Sequence, residues 1–75
     1  MNKIELTADE IRVVKEQVSG KFDRVFASDN DKQVLMDAIH KAEALLNELD
    51  AYDEMGDDMI AWFWDKYKAQ EGINE

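Results

Sequence analysis

The chain has no cysteine, no proline, three glycines and a single histidine in 75 residues. Without cysteine it can form neither a disulfide nor a thiolate metal site, which suits a reducing compartment and makes the cytoplasm the expected location. Without proline, no backbone donor is removed from any helical run. No stretch approaches the ~20 consecutive apolar residues of a membrane span, and the first ten residues hold no apolar run of the secretory kind. Bases are missing from one long segment. No Lys or Arg occurs between Lys41 and Lys66, while Glu43, Glu48, Asp50, Asp53, Glu54, Asp57, Asp58 and Asp65 all lie there. That segment accounts for most of a net charge of −9, and the preceding 42 residues are close to balanced. Direct binding to nucleic-acid phosphates is therefore not expected, because such affinity rests on Lys and Arg releasing counterions. A basic protein is the complementary partner.

What the chain does contain is helical periodicity, with apolar side chains recurring at spacings of three and four. Residues 30–54 read as a long central helix in which Val34, Leu35, Ala38, Ile39, Ala42, Leu45, Leu46, Leu49 and Tyr52 share one stripe. Before it, Thr7 and Glu10 are spaced as a capping box, with Leu6 and Ile11 at the staple positions. The stripe that follows, Ile11, Val14, Val18, Phe22, Val25 and Phe26, keeps its phase through Gly20, so one helix is predicted over residues 8–27. On that reading Gly20 sits opposite the core, and Gly20→Ala should stabilise the fold by up to about 1 kcal/mol. Residues 28–31 (Ser-Asp-Asn-Asp) form a turn, with Asn30 and Gln33 spaced as a second capping box. Gly56 suits a left-handed helix end, and Asp57 and Asp58 open a third helix over residues 58–70. Residues 1–6 read as an extended arm and residues 71–75 as a frayed tail.

Three amphipathic stripes joined by short polar turns predict one all-α domain over residues 1–75, an up-down-up three-helix bundle with a long central helix. A chain of this length supports a core worth only roughly 3–5 kcal/mol. The predicted third helix is too short to cover the groove of the longer hairpin, which points to a homodimer.

No Gly-rich phosphate loop, nucleophile elbow or Cys–His pairing is present, and the expected function is non-enzymatic, without cofactor or metal. His40 has Asp37 and Glu43 three residues to either side, but no second cluster completes a coordination sphere. Asp29, the start of an EF-hand-like run, has Val34 where such a loop needs glycine and His40 where it needs a bidentate glutamate. The distinctive local feature is the aromatic run Trp62-Phe63-Trp64 with Tyr67. Met59, Ile60, Phe63, Trp64 and Tyr67 share a core stripe, whereas Trp62 projects beyond it and is expected to be partly exposed as an interface anchor. Trp62, with Asp53, Glu54, Asp57, Asp58 and Asp65 around it, forms the expected partner-binding face, for a second copy or a basic protein. The competing expectation is an acidic inhibitor whose carboxylates imitate nucleic-acid phosphates and block a nucleic-acid-binding protein.

Overall fold

In a computed structural model, which describes residues 3–73, Thr7 starts the first helix as its sequence demands. The Thr7 hydroxyl accepts from the Glu10 amide at 3.1 Å, and the Glu10 carboxylate accepts from the Thr7 N–H at 2.9 Å. Helix α1 (Ala8–Val18) is followed by α2 (Asp29–Leu49), a single turn α3 (Tyr52–Met55) and α4 (Met59–Glu71). The three longer helices all contact one another, giving a small all-α bundle with no strand among the described residues. Residues 1–2 of the expected arm and 74–75 of the expected tail lie outside the described residues.

The first helix does not pass through Gly20. It stops at Val18, with Gly20 at φ +76°. The Gly20 N–H bonds the Gln17 carbonyl and the Lys21 N–H bonds the Glu16 carbonyl at 2.8 Å, the paired pattern of a Schellman ending. Two otherwise orphaned carbonyls are satisfied at the helix end, and this local gain stops the helix although the apolar phase runs on. Phe22 is consequently only half-buried, and Val25 and Phe26 are 78% and 84% exposed in the α1–α2 loop instead of in the core.

Helix α2 also differs from expectation at both ends. Ser28, and not Asn30, is the N-cap, its hydroxyl accepting from the Asp31 amide at 3.1 Å. The helix ends at Leu49, because Asp50 adopts the left-handed conformation (φ 49°) and its N–H closes on the Leu46 carbonyl. Asp is among the few non-glycine residues that tolerate this region. Leu49 and Tyr52, both on the predicted stripe, are exposed as a result, while Leu35, Ala38, Ala42, Leu45 and Leu46 are buried as predicted. Gly56 has positive φ but ends α3, and its ψ of −137° is not helical.

The Asp50 turn redirects the chain so that α3 lies beside α4, tied by Lys66 Nζ to Glu54 Oε1 at 2.6 Å. With α3 on one side and the α1–α2 pair on the other, α4 buries residues around much of its circumference: Ile60, Trp62, Phe63, Trp64 and Tyr67. Trp64 and Tyr67 stack with ring centroids 5.7 Å apart. Trp62 is 7% exposed and belongs to the core cluster, contrary to its expected exposure. A helix continued to residue 54, as the apolar stripe predicts, would leave nothing to cover this face of α4.

The arm is extended and docked. The Gln70 side-chain amide brackets the Ile4 backbone, accepting from its N–H at 2.7 Å and donating to its carbonyl at 2.8 Å. Ile4 is buried in the core by this clamp. At the other end of α4, Gly72 is a left-handed cap and Ile73 packs partly buried against the core, so residues 71–73 are not frayed.

Candidate interaction surface

The acidic segment lies at one end of the bundle because α2 ends there, α3 crosses there and α4 begins there. Glu43, Glu48, Asp50, Asp53, Glu54, Asp57, Asp58 and Asp65 are all exposed. Three of them have structural partners. Glu54 pairs with Lys66, and Asp65 with Lys68 at 3.4 Å. Asp58 caps α4, accepting from the Ala61 amide at 3.0 Å. The Lys66 hydrogen bond holds the Glu54 carboxyl below its ordinary range, with a smaller contribution from the Trp62 indole. That indole N–H is buried without a hydrogen bond of normal geometry, so Trp62 faces Glu54 without being joined to it. Glu43, Glu48, Asp50, Asp53 and Asp57 make no ion pair among the described residues.

Between these carboxylates is an apolar depression. Leu46, Met55 and Met59 form its floor, Tyr52 and Asn47 one wall, and Glu43 and Asp57 its rim, around a cavity of about 300 Å³. Tyr52 is half-exposed, and its hydroxyl donates to the Asn47 side-chain carbonyl, which orients the ring. Among the residues expected to form a partner face, Asp57 lines this cavity and Asp53 and Glu54 lie on α3 beside it. Asp58 is occupied as a cap, Asp65 is turned toward Lys68, and Trp62 lies beneath the surface. Tyr52 and Met55 are not part of the expected partner face, because the apolar periodicity places Tyr52 on the core stripe. The Tyr52-x-x-Met55 spacing straight after the acidic Glu48 and Asp50 was the available signal.

At the opposite end of α2, the α1–α2 loop presents Val25 and Phe26 beside the exposed Lys21 and Arg24. The loop has its own internal bonds: Asp23 Oδ1 accepts from the Val25 N–H at 2.9 Å, and the Asp23 carbonyl accepts from the Ala27 N–H at 2.8 Å. Neither Lys21 nor Arg24 makes an ion pair among the described residues. Nearby, Arg12 is engaged by Asp31 at 2.8 Å and Glu16 at 3.2 Å. The Arg12 hydrogen bonds hold the Asp31 carboxyl below its ordinary range. His40 is exposed, and Asp37 accepts from the Gln33 side chain at 3.0 Å. No group of three or more metal-ligating side chains converges among the described residues. No known protein family, characterised protein or solved structure matches the chain.

Proposed function

We propose that this protein is a non-enzymatic interaction module that binds a basic protein segment at the acidic end of its bundle. The observation that supports this reading most directly is the Tyr52–Met55–Met59 depression, bordered by carboxylates with no intramolecular cation. Apolar contact there supplies affinity, and the surrounding charge supplies orientation and rate of encounter. The same carboxylates could imitate phosphates, but an apolar floor suits a ligand that alternates Lys or Arg with large apolar residues better than a purely cationic groove. In this proposal Asp53, Asp57 and Glu43 steer the ligand, and Tyr52 makes the central contact. A short Lys/Leu amphipathic helical peptide should bind with an affinity that falls as salt rises, and neutralising Glu43, Asp53 and Asp57 together should flatten that salt dependence. Equal binding of a peptide with its lysines replaced by glutamates would refute the reading.

A further inference from the structure

Resting on that reading of the acidic end, we infer that the depression seats one arginine side chain of the basic partner, its apolar stem on the Met55–Met59 floor and its guanidinium against the Tyr52 ring. Two unlike chemistries share this small space. Leu46, Met55 and Met59 are apolar, whereas Glu43 and Asp57 at the rim are exposed carboxylates that make no ion pair among the described residues. A wholly apolar side chain would satisfy the floor and leave both carboxylates to water. A long cationic side chain satisfies both, since its methylenes pack while its charged head stays at the edge. There is room for it, because a cavity of ~150 Å³ already admits benzene and this one holds about 300 Å³.

Tyr52 decides between the two long cations. Its hydroxyl is already committed to the Asn47 side-chain carbonyl, so the half-exposed ring offers a partner its face and not its polar end. The same bond fixes the ring before any ligand arrives, which spares the cost of ordering it on binding. An aromatic face attracts a guanidinium by stacking as well as by charge. The planar guanidinium is also more weakly hydrated than a lysine ammonium and presents two donors to a carboxylate at once. Glu43 stands one helical turn before Asn47 on α2, and Asp57 follows α3, so the carboxylates flank the ring from two separate elements. A net charge of −9 sets copies of this chain against one another, so the arginine belongs to a different protein.

The test is calorimetric titration of the full chain with versions of the Lys/Leu helical peptide that differ only at one central position, which carries arginine, lysine, citrulline or leucine. The arginine version should bind about fivefold more tightly than the lysine version, and about tenfold more tightly than the neutral citrulline and leucine versions. Tyr52 is half-exposed, so Tyr52→Leu should keep the wild-type circular dichroism. It should still bind the lysine version but lose the preference for arginine. The ε-methyl NMR signals of Met55 and Met59 should move as the arginine peptide is added, while that of Met36, exposed on α2 and outside the depression, stays in place. An arginine preference that survives Tyr52→Leu would overturn the inference. So would tightest binding of the leucine version, or Met55 and Met59 signals that do not respond. If the arginine and lysine versions bind alike and salt weakens both, the arginine seat fails and the acidic binding face stands. If no version binds, both fail.

Discussion

Glu10 is the one buried charged side chain among the described residues, 4% exposed, and its removal can be worked through in numbers. Its Oε1 accepts from Lys41 Nζ at 2.7 Å and from the Thr7 N–H at 2.9 Å, while the same Lys41 ammonium donates to the Glu5 carbonyl at 2.8 Å. The carboxylate therefore joins the start of α1, the arm and the middle of α2. Glu10→Gln keeps an acceptor for the Thr7 N–H but loses the ionic character of the Lys41 bond, a loss of about 1.5 kcal/mol. Glu10→Ala loses the cap as well, about 3 kcal/mol in all. Lys41→Met leaves a buried carboxylate without its cation and should cost about 3 kcal/mol at neutral pH. With a urea slope near 1 kcal/mol/M for so small a domain, Glu10→Gln should lower the unfolding midpoint by roughly 1.5 M.

The pH dependence follows from the direction of the Glu10 shift. Burial alone would raise its carboxyl, but the Lys41 hydrogen bond, the Thr7 amide and the Lys41 charge outweigh it, and the net shift is downward from 4.5. A lowered folded-state value means that the stabilisation is fully present above the unfolded value and is lost as pH falls through the folded one. The gap between wild type and Glu10→Gln should be constant near neutrality, narrow below about pH 4.5, and close once both side chains are neutral. A gap that persists undiminished at pH 2, or a Glu10→Gln protein more stable than wild type at pH 7, would refute this account of the pair.

Substitutions at two further positions test the places where the structure departs from the sequence pattern. Gly20→Ala should now destabilise by about 1 kcal/mol, because φ is +76° although a Cβ there would meet nothing within 4 Å; a raised urea midpoint would restore the continuous helix. Trp62→Ala should lower stability by roughly 3–5 kcal/mol as a core truncation, whereas Trp62→Phe, which also deletes an unpartnered buried N–H, should cost under about 1.5 kcal/mol. Calorimetry of both variants checks this, and a Trp62→Ala protein as stable as wild type would return Trp62 to the surface.

The parts of the fold legible in the sequence are those governed by neighbours three or four residues apart. The Thr7–Glu10 box and the stripe from Leu35 to Leu46 are of this kind, as is the run from Ile60 to Tyr67. At Gly20 two local signals conflict. Periodicity favours continuation and the Schellman bonds favour a stop, and periodicity is silent about backbone handedness. At Asp50 the left-handed residue is not glycine, so composition gave no warning of the turn. That one turn reversed the environments of two aromatic residues, bringing Tyr52 out and enclosing Trp62. The candidate surface was legible in its charge and not in its apolar centre, because charge is additive along a chain whereas a depression depends on which elements cross. The bracket between Gln70 and Ile4 spans 66 residues and leaves no periodic trace.

That bracket also bears on the order of events during synthesis. Ile4 is made 66 residues before Gln70, whose side chain holds it, so the arm has no seat until α4 has been translated. At roughly 5–20 residues per second, an apolar side chain is left uncovered for several seconds on every nascent copy. Docking of the arm is then a late step that waits for α4, and slowing translation between Ile4 and Gln70 would prolong the interval in which the arm is open to chaperones or to proteolysis.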